Sequence, residues 1–279
     1  MTQYWPFSGL IRQSTLRERL IVSLDLGERR DALKLVDRLA RVVGMFKVGR
    51  ALFVGGGPDF VREIRRRGAE VFLDLKFHDS SQKMLRAAVE ATRLGVKMFD
   101  IHAYGSPAGA TEVMNRTRAE VSRICRTEGL RRPHVLAVAM LAEMKPAAPR
   151  RETQGCSDRV AEIARIAADA ALDGVFTSPR EVTRVRNLCG RRFIIVTSGV
   201  VSAGATTPGA RSPANGGLAQ HPVSAADAIR AGADYVVVGG PVWRSAEPVR
   251  VVREIADDIE RGLRTNSRIA SEVQNPRPV

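Results

Sequence analysis

Cysteine, aromatic residues and long apolar runs are all in short supply, and each shortage closes off a class of function. The 3 cysteines, Cys125, Cys156 and Cys189, stand far apart and form no C-x-x-C pair. That argues against a disulfide framework and a cysteine zinc site, and it fits a reducing cytoplasm. Aromatics are 5% of the residues, too few to interleave with basic side chains as stacking platforms for a nucleic-acid strand. The longest apolar runs, such as Tyr235-Val236-Val237-Val238, are of strand length, so no membrane span is expected. Residues 1–12 lack the apolar core and small-residue cleavage site of a secretory signal. The 4 histidines, His78, His102, His134 and His221, are scattered and supply no metal set. No G-x-G-x-x-G follows the first apolar run, which weakens a dinucleotide-binding reading.

What the chain has in excess is positive charge, with 44 Lys and Arg against 30 Asp and Glu and a formal net of +14. The arginines are spread through helical stretches rather than gathered in one tract. A basic surface that draws in anionic small molecules fits better than specific nucleic-acid binding.

Apolar runs of strand length alternate with stretches of helical period along most of the 279 residues. The expected strands start at Leu20, Met45, Glu70, Val96, His134, Gly174, Phe193 and Asp234. Helices follow at 31–43, 59–67, 81–94, 107–128, 157–171, 179–188, 224–231 and 246–263. This count predicts a single-domain (β/α)8 TIM barrel over residues 19–263. An N-terminal extension covers 1–18, and a polar tail, expected to be disordered, covers 264–279.

Chemistry in such barrels sits at the carboxyl ends of the strands. Read around the ring, those ends are Asp25, Lys47, Asp74 with Lys76, His102, Met140, Ser178, Ser198 and Gly239-Gly240. Strand alternation puts Asp74 and Lys76 on one face. Alone, Asp74-Leu75-Lys76 followed by Asp79 reads as a structural ion pair at a strand end. Beside Asp25 and Lys47 on neighbouring strands it becomes a contiguous patch of alternating charge, the pattern of a working site. A lysine flanked by acids stays protonated, which makes it a poor Schiff-base nucleophile and a good proton donor to a carbanion. Decarboxylation with proton replacement and proton shuffling beside a carbonyl are the two reaction classes that suit it.

The run Leu73-Asp74-Leu75-Lys76-Phe77-His78-Asp79 resembles the signature of the orotidine 5′-phosphate decarboxylase family. The likeness spans residues 19–262 and includes Val22-Ser23-Leu24-Asp25, Phe46-Lys47-Val48-Gly49, Asp100-Ile101-His102-Ala103, Leu172-Asp173-Gly174-Val175 and the stretch Ala231–Gly239. The resemblance implies a cofactor-free decarboxylase of a nucleotide or nucleoside-like substrate, with a site shared across a homodimer. By position, Lys76 resembles the proton donor and Asp74 the carboxylate facing the departing group. Lys47 and Asp25 resemble the residues that hold the ribose, and Asp79 the acid lent to the neighbouring subunit. The strand ends His102, Ser198, Gly239 and Gly240 complete the candidate substrate positions.

The substrate-holding half departs from the family. Gly240 stands where a phosphate-gripping arginine is usual, and Ser198 and Val201 fall in a strand end that is otherwise threonine, proline, glycine, isoleucine, arginine. Ala142 and Glu143 replace hydroxyl residues, Ser80 and Lys83 replace apolar and threonine positions, and the 202–223 loop lacks the glutamine and arginine run. Beside the family decarboxylase, two readings follow: a paralogue using the same Lys/Asp network on a different, unphosphorylated substrate, and a catalytically silent homologue used for binding or regulation.

Overall fold

The computed structural model describes residues 17–103, 106–139, 150–201 and 223–274. Met140, Ala142, Glu143, most of the 202–223 loop and residues 1–16 of the N-terminal extension lie outside them. The strands are β1 (Leu20–Ser23), β2 (Met45–Gly49), β3 (Glu70–Phe77), β4 (Met98–His102), β5 (His134–Ala139), β6 (Gly174–Thr177), β7 (Ile194–Ser198), β8 (Val200–Val201), β9 (Val223–Ser224) and β10 (Tyr235–Val238). A closed barrel runs β1-β10-β7-β6-β5-β4-β3-β2, every pairing parallel, as the alternation of strands and helices predicts. The short β8 and β9 form a separate parallel pair just beyond the seventh barrel strand.

Parallel strands covered on both faces must be apolar nearly throughout, which is why Leu20-Ile21-Val22 and Val135–Ala139 carry no polar alternation. Their inward face builds a plug from Ile21, Met45, Phe72, Met98, Leu136, Phe176, Val196 and Val237, all buried. Phe72 and Phe176 meet edge to face at 5.4 Å, an arrangement that adds about 1 kcal/mol beyond area burial. Outward side chains join the helices in a second, larger core. The plug matters for function because it is a dry floor. Any charged side chain one step further along each strand stands on it.

Three helices extend well beyond the sequence expectation. Helical structure begins at Arg50 instead of Asp59 and continues to Arg66, kinked at Gly57, whose φ of 60° only glycine adopts readily. The sequence Gly55-Gly56-Gly57-Pro58 therefore bends a helix rather than breaking the chain. The helix before β6 begins at Arg150, ahead of Ser157. The last helix runs from Pro248 to Gln274, so residues 264–274 are not a disordered tail. Arg264 bonds to Glu260 one turn back at 2.6 Å, and Asn266 Nδ2 donates to Ile229 O at 3.0 Å, ties that a polar composition alone conceals. Its apolar stripe, Val252, Ile255 and Ile259, is fully buried.

Candidate active site

One step above the apolar floor, the inward positions of β1 to β4 are Ser23, Lys47, Asp74 and Asp100, all buried. The sequence pattern puts the same face in register because each strand advances by two residues from its plug member. Lys47 Nζ lies 2.9 Å from Asp74 Oδ2 and 3.4 Å from Asp25 Oδ1. Asp25 is in turn anchored by Ser23, whose hydroxyl donates to Asp25 Oδ2 at 2.6 Å. Burial works to lower the Lys47 pKa, but the Asp74 and Asp25 charges outweigh it and raise it. Lys47 is held as an ammonium.

The other oxygen of Asp74 is bonded to Lys76 Nζ, so one carboxylate bridges both ammonium groups. Burial pushes Asp74 up, and the two lysines overcome it, leaving the carboxyl well below its usual range. Lys76 itself sits at a break in strand regularity. The step from Leu73 to Phe77 on β3 is matched by only Phe99 to Ile101 on β4, and Lys76 takes φ of 52°. Such a conformation costs a non-glycine residue about 1–2 kcal/mol. The shared face of Asp74 and Lys76 is therefore real, but a bulge, not regular alternation, delivers it. Phe176 from the floor faces the ammonium, its ring centroid 5.4 Å from Lys76 Nζ.

Asp100 on β4 completes the layer. Its Oδ1 accepts the Lys76 backbone N–H at 2.8 Å, and its Oδ2 lies 3.9 Å from Lys76 Nζ. Burial and then the Asp74 charge push its carboxyl well above the ordinary range. Of the two neighbouring acids, the surroundings drive Asp74 toward its charged form and Asp100 toward its neutral one.

Around this centre the other predicted positions form a rim. His102 lies half-buried on the same face of β4, its ring 5.2 Å from that of His78, and burial followed by His78 lowers its pKa. Ser198 ends β7 opposite Val237. Gly239 is crowded: a Cβ there would meet Ser23 Cβ at 3.3 Å and Asp25 Oδ2 at 3.4 Å. Gly240 opens a one-turn helix, Gly240–Trp243. The guanidinium of Arg244 lies over it, with Cζ 3.7 Å from where a Gly240 Cβ would be, and it stacks on Trp243 at 4.7 Å. A cation thus stands at this strand end, though no side chain at 240 provides it.

Asp79 stands apart from the cluster. It is half-exposed just before the helix Ser81–Arg93, accepts the Ser80 N–H at 2.6 Å and pairs with Lys83 Nζ at 3.4 Å. The expected patch therefore gathers Asp25, Lys47, Asp74 and Lys76 within one chain, and leaves Asp79 outside it. Sequence reading passed over Ser23, Asp100 and Phe176. For Asp100 the signal was present: an acid in the apolar run Met98-Phe99-Asp100-Ile101, two residues before His102 and on its face. Among the described residues no group of His, Cys, Asp and Glu is arranged to hold a metal ion, and no helix is long and apolar enough to cross a membrane.

The comparisons with known proteins agree with this geometry. The chain is 38% identical over 247 residues to the orotidine 5′-phosphate decarboxylase of Moorella thermoacetica, covering 88% of this chain and 93% of that one. It is 40% identical over 255 residues to the Syntrophotalea carbinolica protein of the same name, covering 88% and 98%. The crystal structure of orotidine 5′-phosphate decarboxylase from Pyrococcus horikoshii OT3 shares the fold with a TM-score of 0.63 at 19% identity, over 86% of this chain and 99% of that one. Residues 18–255 match a single family over nearly the whole barrel, and the chain belongs to it: the orotidine 5′-phosphate decarboxylase / HUMPS family.

Proposed function

We propose that this chain is a cofactor-independent carboxy-lyase that converts orotidine 5′-monophosphate to uridine 5′-monophosphate and carbon dioxide in pyrimidine nucleotide synthesis. The observation that carries the reading is the Lys47–Asp74–Lys76 bridge, a fixed charge array on a dry floor at the mouth of the barrel. Loss of carbon dioxide leaves an electron pair on the pyrimidine carbon. The Lys76 ammonium supplies the proton that closes the new C–H bond, and the resulting amine takes its replacement from solvent. The electrons stay on the substrate throughout, so the step calls on no redox partner. An ammonium already held where negative charge develops stabilises the transition state without reorganisation. Asp74 sets the direction of that ammonium, while Lys47 and Asp25 suit the ribose hydroxyls.

Arg244 supports a phosphorylated substrate, because its guanidinium stands over Gly240 at the strand end where a phosphate grip would be needed. Asp79, turned outward from its own cluster, suits a homodimer in which it reaches a second copy's site. The reducing cytoplasm fits the sparse cysteines. The paralogue reading draws on Gly240 itself, which places no charge of its own against a phosphate.

The test is spectrophotometric. Orotidine 5′-monophosphate mixed with the purified protein should lose its orotate absorbance, and orotidine should react far more slowly. Turnover of orotidine as fast as of its phosphate would favour the paralogue, and turnover of neither would remove the decarboxylase reading.

A further inference from the structure

We propose that Asp100 is a positioning residue that acts as a neutral carboxylic acid, bracing Lys76 from its backbone and from the carboxylate it pairs with. The inference rests on the reading of Lys76 as proton donor. The geometry begins with the bulge in β3, which takes the Lys76 N–H out of the strand ladder. A buried backbone donor left unpaired is costly, and Asp100 Oδ1 receives it at 2.8 Å. That bond secures the left-handed φ of 52° at Lys76, a conformation that persists only when its surroundings enforce it.

The second brace is the other oxygen. Asp100 is 0% exposed, and its Oδ2, 3.9 Å from Lys76 Nζ, has no hydrogen-bond partner among the described residues. Asp74 and Lys76 face it from β3, Lys47 lies behind Asp74 on β2, and His102 follows on its own strand. On β5 its neighbours are the apolar Leu136 and Val138. Lys47 and Asp25 already account for one ammonium and one exposed carboxylate, so a second buried anion beside Asp74 would be uncompensated. A proton on Asp100 removes the repulsion and lets its hydroxyl bond to Asp74, in line with the raised carboxyl. Asp74 is then free to spend both oxygens on the lysines.

The test pairs Asp100→Asn with Asp100→Ala. The amide keeps the acceptor for the Lys76 N–H and a donor toward Asp74 but cannot ionise. It should keep kcat within about threefold of the parent, whereas Asp100→Ala should lose about a hundredfold in kcat with KM little changed, the scale expected for a misplaced reacting group. The second readout needs no substrate. A carboxyl whose folded pKa is raised binds more protons folded than unfolded, so the parent loses stability as pH rises above the ordinary carboxylate range, and the Asn variant has no such loss. The melting temperature of Asp100→Asn should therefore rise relative to the parent from pH 5 to pH 8. A gap that stays constant with pH, or an Asn variant as impaired as the Ala variant, overturns the proposal. Should the parent lack turnover altogether, the melting gap still decides the protonation of Asp100 while the decarboxylase reading falls separately.

Discussion

Asp74 and Lys47 share a buried contact of 2.9 Å on the floor of the barrel mouth, and the second oxygen of Asp74 holds Lys76. Removing Asp74 would leave two ammonium groups facing each other with Asp25 as the remaining charged carboxylate. Breaking a buried pair costs about 3–5 kcal/mol because one charge is left uncompensated. Asp74→Ala should therefore lower the unfolding free energy by that order in urea titrations. Turnover should fall by about 10²–10³, the scale for losing a preorganised electrostatic partner. A variant with parental stability and activity would show that the bridge is ornamental.

Lys47 makes an alkaline prediction. Burial lowers its pKa, the Asp74 and Asp25 charges more than restore it, and the net shift is upward from 10.5. A raised lysine contributes stability that is fully present below its unfolded pKa and is lost as pH rises through the folded value. The stability difference between the parent and Lys47→Met should stay flat from pH 7 to pH 9.5 and shrink above pH 10.5. Unfolding curves collected across that range read the effect directly, and a difference that shrinks below pH 9 would contradict it.

At the opposite end of the barrel, Asp173 makes an acid prediction. Burial raises it, but the nearby His134 ring, with bonds from Arg132 and the Val135 backbone, brings it from 3.8 down to about 2. Arg132 Nη1 and Val135 N each donate to it at 2.8 Å. A depressed carboxylate adds stability above its unfolded pKa that is lost as pH falls through the folded one. Asp173→Asn should cost about 1–3 kcal/mol at pH 7, the range for leaving buried donors without their acceptor. The parent and variant curves should converge between pH 4 and pH 2. Convergence well above pH 4 would mean that Asp173 is not held ionised by these bonds.

The barrel and much of this layer were legible in the sequence. Apolar runs such as Leu20-Ile21-Val22 and Phe193–Val196 announce parallel strands buried on both faces, and the helical period between them leaves few other folds. Asp25, Lys47 and Asp74 were legible because each follows a strand run and strand ends converge in a barrel. Lys76 was placed on the right face for an incomplete reason, since no residue in Leu75-Lys76-Phe77 advertises a bulge. The place of Asp100 on the site face was legible in Met98-Phe99-Asp100-Ile101, but its role was not, because an acid inside a strand looks alike whether it pairs or holds a proton. The relation of Arg244 to Gly240 was also closed to sequence, since it depends on a one-turn helix folding the arginine back over the strand end.

Gly239 tests the packing of the rim. A methyl at that position would press within 3.3 Å of Ser23 Cβ and 3.4 Å of Asp25 Oδ2, disturbing the Ser23–Asp25 bond of 2.6 Å. Overpacking of this kind costs about 1–3 kcal/mol. Gly239→Ala should raise KM by about tenfold, the equivalent of 1.4 kcal/mol, while kcat falls less. An unchanged KM would show that Asp25 does not hold substrate.

Under the proposed function, Lys76 delivers the proton that replaces carbon dioxide. The direct measurement is release of labelled carbon dioxide from carboxyl-labelled orotidine 5′-monophosphate by the parent and by Lys76→Ala, with melting curves confirming that both are folded. Release should be rapid with the parent and fall by about 10⁴ or more in the variant, since general acid catalysis and charge stabilisation are lost together. A folded Lys76→Ala variant that releases carbon dioxide within tenfold of the parent would contradict it.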